Sequence, residues 1–254
     1  MNDAGEGRTR PRGSSIADQD EAQLGGPASV LVRQKRDHVR LDRLLHQLAD
    51  SSGATQQRLL IRIQRLVFPH AFAEEAVLWP VIRRVLPDGD ALTLQVEREH
   101  QEVNELVTRL EAADLDPSER RRLLDRLVEV LRDDVRDEED TLLPGLQEKL
   151  SVPQLRRLGV AWEAVRRTAP TRPHPVVSRR PPGNVVAALP LTALDNLRDL
   201  CDVAGSRSPR PAARALTTTS RALARTARRV ERLGILRRGE QPPTSVDTPA
   251  PDGP

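Results

Sequence analysis

Apolar residues along the first 170 positions recur at intervals of three, four and seven, which is the spacing of helices with one buried face. Pro27, Asp116 and Ser151 supply start signals, because proline suits the first helical turn and Asp or Ser caps its free N–H groups. Pro69 and Pro80 each remove a backbone donor and are expected to bend the second helix. The predicted helices cover residues 27–50, 55–86, 91–113, 117–143 and 153–168.

The first 150 residues contain an internal repeat. The phrase HAFAEEAVLWP at 70–80 returns as DVRDEEDTLLP at 134–144, an offset of 64 residues. DHVRLDRLL at 37–45 likewise returns as EHQEVNELV at 99–107, an offset of 62 residues. Two similar helical hairpins joined by short turns make an up-down four-helix bundle, so the sequence predicts an all-α fold of this kind with a fifth helix.

The composition agrees with a helical protein. Of the 254 residues, 37% are apolar, 30% are charged and only 2% are aromatic, with no tyrosine. The single cysteine, Cys201, excludes an intrachain disulfide and a cluster of thiolate ligands. The first dozen residues lack the apolar core of a secretory signal, and no apolar run approaches the roughly 20 residues of a membrane-spanning helix. We therefore expect a cytoplasmic protein.

Charge divides the chain into regions of different composition. Residues 171–254 carry 14 Arg and 7 acidic residues, whereas the rest of the chain carries 26 basic and 30 acidic residues. The polar residues 1–26 are predicted to be disordered, and residues 27–170 to form the bundle with its fifth helix. The Arg/Pro-rich residues 171–254 are predicted to be a basic, partly disordered C-terminal extension with weaker helices over 190–203 and 211–236.

The second of these weaker helices is amphipathic, with Leu223, Ala227, Val230 and Leu233 along one side. Such a helix docks on a protein partner, anionic lipid or nucleic acid, or packs back on its own acidic bundle. The extension has no aromatic residue for base stacking, and the chain shows no recognisable DNA-binding motif. The sequence therefore favours self-docking or a protein partner over nucleic acid.

Each bundle helix also turns metal-capable groups toward its apolar side. An ionised carboxylate in an aliphatic core costs several kcal/mol unless a cation compensates it, and no Lys or Arg shares these inner stripes. Two divalent ions with a small bridging oxygen would compensate the whole set. Imidazole and carboxylate donors without sulfur indicate Fe, Mn or Zn, and shared carboxylates in a helical bundle favour two irons. The candidate ligands are His38, His70, Glu74, His100, Asp134 and Glu138.

Taken singly, such residues have simpler interpretations. A lone inward histidine such as His38 is more often a satisfied core residue than a ligand. Glu75 and Glu139 lie about 100° off the inner stripes, where they either bond to the ligands or, the favoured alternative, face solvent. His46 and His174 are assigned to no metal, since one lies off the stripe and the other in the Pro-rich linker. The coincidence of six groups at nearly constant offsets favours a metal site.

In these motifs, over about residues 28–150, the chain resembles the hemerythrin-like, or HHE, cation-binding domain family. The resemblance implies an up-down four-helix bundle that holds two oxo- or hydroxo-bridged irons. It also implies binding or sensing of O2, NO or peroxide, or iron handling. By position, the resemblance implies that the terminal ligands are His38, His70 and His100 and that the bridging ligands are Glu74 and Glu138.

The chain departs from the family pattern at two positions. Asp134 stands where the family normally has a fourth-helix histidine. Asn104 stands where oxygen-carrying members have a second histidine on the third helix. An anionic, harder ligand predicts a site that stabilises ferric iron and has a lower reduction potential, or else a weak second metal position. Fewer imidazoles also favour a sensor over a dedicated O2 carrier.

The sequence therefore predicts a non-haem di-iron protein that senses or reversibly binds O2, NO or peroxide. The first alternative is an enzyme on the same bundle, a di-iron peroxidase or oxidase, and the lack of tyrosine argues against chemistry through a tyrosyl radical. The second alternative is a metal-free helical interaction protein whose site has decayed at Asp134.

Overall fold

The structure is a computed structural model that describes residues 14–111 and 115–244, apart from the side chains of Ser206, Arg237 and Pro243. These residues form helices and turns and contain no β-strand, which confirms the predicted all-α fold. The α-helices are α1 (Val30–Ala49), α2 (Gly53–Ala73), α3 (Trp79–Val85), α4 (Gly89–Leu110), α5 (Pro117–Asp137), α6 (Leu143–Lys149), α7 (Val152–Arg167), α8 (Gly183–Arg207) and α9 (Arg210–Glu231).

The bundle has four rods: α1, α2 continued by α3, α4, and α5 continued by α6. Two aliphatic clusters fill it at different levels, one around Leu45, Ile63 and Leu127 and the other around Trp79 and Leu146. The order of the two clusters along the chain reverses from each rod to the next, as an up-down bundle requires. The predicted metal ligands lie between the two clusters in every rod.

The repeated phrase folds the same way twice. A π-helical turn, Glu74–Leu78 or Glu138–Leu142, joins the two α-helices of each interrupted rod. In each turn the following residue, Trp79 or Leu143, donates its N–H to the carbonyl of the residue five positions earlier. The prolines next in the chain have no N–H, so the regular ladder cannot continue, and one wide turn resolves the break. Near Pro80, where the sequence predicted a bend in the second helix, the structure thus has a widened turn.

The fifth bundle-associated helix, α7, packs on α1 and α2. A capping box of Ser151 and Gln154 begins it, at the predicted position. Gly159 allows its close approach to the start of α1, because a Cβ there would collide with the carbonyl oxygen of Ala28. No helix among residues 14–111 and 115–244 combines the length and apolar character needed to cross a membrane.

The N-terminal segment differs from the predicted disorder over residues 1–26. Residues 1–13 lie outside the described part, but residues 14–26 pack on the bundle, with Ile16 and Leu24 fully buried. The Gln19 side chain exchanges hydrogen bonds with that of Gln147, at 3.1 and 2.7 Å. The apolar residues of this segment follow no helical period, which is why the sequence pattern did not reveal them.

The C-terminal extension contains longer helices than predicted, and α8 and α9 pack against each other as a hairpin. Helices and turns account for most of its described residues up to 244, while residues 245–254 lie outside the described part, so the predicted partial disorder stays a prediction. Ion pairs join it to the bundle: Arg65 Nε lies 2.7 Å from Asp199 Oδ2, and Arg180 Nε lies 2.9 Å from Glu97 Oε2. Each of these ion pairs uses a residue of the linker or of α8. The sequence-based expectation of docking came from the spacing of apolar residues in α9, which could not predict these pairs.

Candidate metal centre

The six predicted ligands converge between the two aliphatic clusters. All six are buried, from Glu74 at 0% exposure to His70 at 9%. Their donor atoms form two groups that share Glu138, and within each group the atoms lie within 4.8 Å of one another. The first group consists of His38, His70, Glu74 and Glu138, and the second of His100, Asp134 and Glu138.

In the first group, two imidazole nitrogens face two carboxylates. The Nε2 atoms of His38 and His70 are 3.3 Å apart. His38 Nε2 lies 3.2 Å from Glu138 Oε2, and His70 Nε2 lies 2.9 Å from Glu74 Oε1. Four donor atoms thus surround one point.

The second group has a single imidazole. His100 Nε2 lies 3.4 Å from Asp134 Oδ1, 3.7 Å from Glu74 Oε2 and 3.9 Å from Glu138 Oε1. Glu74 and Glu138 therefore each direct one oxygen toward the first group and the other toward the second. This division is what two adjacent cations would require of a pair of bridging carboxylates.

Five carboxylate oxygens of the predicted ligands lack hydrogen-bond partners. Both oxygens of Glu74, both of Glu138 and Oδ1 of Asp134 are buried without a hydrogen bond of acceptable geometry, although imidazoles lie close by. Buried polar groups in proteins are normally satisfied, and orphaned carboxylates are among the most costly exceptions. Three imidazoles and three carboxylates, without sulfur, form a donor set that suits Fe, Mn or Zn. The residues present fit a pair of metal ions.

Two glutamates hold the outer nitrogens of the ligand rings. His38 Nδ1 lies 2.9 Å from Glu139 Oε1, and His100 Nδ1 lies 2.9 Å from Glu75 Oε1. The favoured expectation that Glu75 and Glu139 face solvent is therefore wrong, and Glu75 is only 1% exposed. Each doublet occupies the start of a π-helical turn, which places both of its members inside, and a regular helical period does not anticipate this.

The third ring has an aspartate partner that sequence reasoning missed. Asp37 Oδ2 lies 3.3 Å from His70 Nδ1. Asp37 directly precedes His38 in the DH motif, but that position alone does not show that it serves a histidine of another helix. With Asp37, Glu75 and Glu139 in place, the Nε2 atoms of all three rings point inward.

The carboxylates around the rings favour positively charged imidazoles. Burial alone would lower the pKa of His38, but the nearby Glu138 carboxylate and the bond to Glu139 outweigh burial and raise the pKa to about 9. Burial would likewise lower the pKa of His100, but Asp134 and Glu75 raise it to about 10.

The carboxylates of the two groups differ in their own pKa values. Burial, reinforced by the charge of Glu138, raises the pKa of Glu74. Burial also raises the pKa of Asp134 well above its ordinary value, against the charge of His100. For Glu138, burial would raise the pKa, but the closeness of His38 and the charges of the surrounding imidazoles overcome burial and lower it. The cluster therefore demands positive charge, which cations would supply.

Comparison with known proteins agrees with this geometry. Residues 30–146 match the family model of the hemerythrin HHE cation-binding domain. This part of the chain is a hemerythrin HHE domain. The match confirms the resemblance seen in the motifs and shows that the domain is of a cation-binding type.

Two curated relatives align with about half of the chain. A hemerythrin-like protein of Schizosaccharomyces pombe, itself uncharacterised, is 28% identical over 134 residues, which cover 52% of this chain and 66% of the relative. A DNA nickase of Nostoc is 27% identical over 133 residues, which cover 52% of this chain and 37% of the relative. The chain thus spans less than two thirds of either relative's length. No solved structure gives a significant match.

The C-terminal extension reaches the HHE domain's centre from outside. Arg179 Nη1 lies 3.8 Å from Glu75 Oε1. Asn104 donates from Nδ2 to the His100 carbonyl at 2.8 Å, and its own Oδ1 accepts from the His174 backbone N–H at 2.9 Å. Asn104, at the position of a histidine in oxygen carriers, thus ties the ligand helix to the extension.

The two remaining histidines lie outside the ligand groups. His46 is exposed, and its Nδ1 lies 2.8 Å from the Asp42 carbonyl oxygen. His174 is buried between two carboxylates, with Nε2 at 3.1 Å from Asp195 and Nδ1 at 3.0 Å from Glu231. Opposite edges of the His174 ring are thus occupied, which is the arrangement of an ion-paired structural histidine.

Proposed function

We propose that the HHE domain holds two iron ions and uses them to sense or reversibly bind O2, NO or peroxide. The observation that carries the proposal is the division of the Glu74 and Glu138 oxygens between two donor groups. In this proposal the first ion would be held by His38 and His70 and the second by His100 and Asp134, and Glu74 and Glu138 would contribute to both.

The protein's own residues orient and insulate the centre. Asp37, Glu75 and Glu139 hold the ring nitrogens that face away from it, so that each Nε2 is presented inward. The apolar clusters on either side of the centre lower the local dielectric constant. This strengthens the electrostatic interactions among the charged groups of the centre. Bound iron would supply a redox-active centre for small oxygen- or nitrogen-containing ligands.

A cleft between α1 and α5 favours the enzyme as the second candidate. It has a volume of about 470 Å³ and is lined by His38, Glu139, Leu131 and Val135 among others. His38, Leu131 and Val135 also line the small space inside the metal centre. A cavity of this size is larger than a diatomic ligand needs and would admit peroxides to a di-iron peroxidase or oxidase.

Metal analysis tests the proposal. The full chain is reconstituted anaerobically with ferrous iron, and its iron content and the optical spectrum of the oxidised protein are measured. We expect about two iron ions for each chain, the number of donor groups, with His46→Ala as a control of equal content. Iron far below one equivalent would support the metal-free interaction protein instead.

The reaction with ligands separates the two metal-dependent candidates. A stoichiometric, reversible spectral change with NO or O2 supports the sensor. Sustained turnover of hydrogen peroxide by the iron-loaded protein supports the enzyme.

A further inference from the structure

We propose that α9 binds the phosphate backbone of double-stranded DNA without reading its sequence. Five arginines of this helix, and a sixth at its C-terminal cap, lie on one side within a sector of about 60° and along about 33 Å. All six are exposed. They are Arg210, Arg214, Arg221, Arg225, Arg228 and Arg232.

The described part of the chain places no acidic partner on these guanidinium groups. Within residues 14–111 and 115–244, none of the six takes part in an ion pair. Two acidic residues of the extension are engaged elsewhere: Asp199 pairs with Arg172 at 2.6 Å, and Glu231 pairs with His174 at 3.0 Å. Packing on the bundle thus uses other residues and leaves the stripe of α9 free.

The arginines of the stripe repel one another. Three pairs are separated by four residues, at 210 and 214, at 221 and 225, and at 228 and 232. Like charges at this spacing repel each other on a helix and destabilise it by a few tenths of a kcal/mol per pair. A polyanion that lies along the stripe would turn this repulsion into attraction and release its own counterions.

The opposite side of α9 argues against a membrane surface. A helix that lies in a lipid interface must insert an apolar face. In α9 the small residues Ala224 and Ala227 are buried, and Ala227 packs with Ala187 and Leu191 of α8. The buried part of this apolar side is therefore unavailable to lipid, and the exposed side of α9 carries arginines together with Thr217, Thr218 and Thr219.

Double-stranded DNA fits the exposed face best among polyanions. The stripe is about as long as one turn of the DNA helix, roughly 34 Å. The extension lacks aromatic side chains for stacking on single-stranded bases, and arginine contacts to phosphates require none. This inference rests on the arginines alone and is independent of iron. It reverses the sequence-based preference against nucleic acid, which relied on absent stacking residues and absent motifs.

Fluorescence anisotropy of the full chain with a labelled duplex two helical turns long tests the proposal. We expect saturable binding with equal affinity for duplexes of unrelated sequence. A plot of the logarithm of the association constant against the logarithm of the salt concentration should have a slope of about −3 to −5. The variant R221E/R225E/R228E should weaken binding at least tenfold. The variant R40E/R43E/R62E, which makes the same charge change at exposed positions of α1 and α2, should bind nearly as well as the parent.

Circular dichroism melts of both variants establish that they remain folded. An equal loss of duplex affinity in the two variants would show an effect of net charge and overturn the assignment to α9. Absence of duplex binding at low salt would overturn it as well. So would binding confined to vesicles that contain phosphatidylserine, because that outcome assigns the stripe to lipid.

Discussion

Glu75 Oε1 lies 2.9 Å from His100 Nδ1, and Arg179 of the C-terminal extension lies 3.8 Å from the same oxygen. All three side chains are buried. The carboxylate therefore links a proposed ligand ring to a region of the chain outside the HHE domain. Groups that hold the outer nitrogen of a ligand histidine fix its orientation and raise its basicity.

Glu75→Gln should weaken the binding of iron about 10- to 100-fold, the usual cost of losing such a partner. The amide retains the volume of Glu75 but removes the charge that supports His100 and balances Arg179. Competition against a chelator of known affinity measures the effect. Glu102→Gln, at an exposed ion pair with Arg126, is the matched control and should bind iron like the parent. Equal affinities for parent and Glu75→Gln would contradict the role given to Glu75.

In the proposed site, Asp134 is the carboxylate that belongs to the second metal position alone. Asp134→Ala should reduce iron from two equivalents toward one, because only His100 and the shared glutamates would remain there. Asp134→His should keep both irons and raise the reduction potential, since a neutral imidazole stabilises ferric iron less than a carboxylate does. Iron analysis and a spectroelectrochemical titration measure the two effects. A lower potential in Asp134→His would show that the charge of Asp134 does not set it.

His70→Ala and Glu138→Ala should each lower iron content and the melting temperature of the iron-loaded protein. Ligands that bind only the folded state stabilise it by mass action, and these variants lose that stabilisation. In the presence of a chelator, the loss of melting temperature in these variants should become smaller, because no metal then stabilises the parent. Unchanged iron and unchanged melting would show that these residues are not ligands.

His174 should make stability depend on pH at the alkaline end. Burial would lower its pKa, but the bonds to Asp195 and Glu231 raise it from 6.5 to about 9. The folded state thus binds the proton more tightly than the unfolded chain. The resulting stabilisation is fully present below about pH 6.5 and is lost as pH rises through about 9, with a magnitude on the order of 3 kcal/mol.

Urea unfolding of iron-free parent and His174→Ala protein between about pH 6 and pH 10 checks this expectation. The difference in the free energy of unfolding should be largest at the acid end and shrink toward the alkaline end. A constant difference over this range would mean that the proton on His174 is not responsible.

Much of the HHE domain could be predicted from sequence because its signals are local. The interval between apolar residues identified the helices, and Asp116, Ser151 and the interrupting prolines marked where they begin or bend. The same interval placed His38, His70, Glu74, His100, Asp134 and Glu138 on inner faces, and the structure brings these six together.

Other features depended on contacts between distant residues. Asp37 bonds to a histidine on another helix, and Glu75 becomes buried only because a π-helical turn shifts the phase of its helix. Ile16 and Leu24 have no periodic neighbours, so their burial emerges only when the bundle offers them a surface.

The sequence by itself determined the helices and the inward polar groups, since both follow from spacing within one helix. Tertiary structure alone decided which oxygen of Glu74 and Glu138 faces which imidazole and which carboxylate holds each ring. It also decided that the arginines of α9 stay unpaired among the described residues, while Arg172 and Arg180 carry the ion pairs of the extension. The physical reason is that charges select partners by distance in space, and the chain sets that distance only after it has folded.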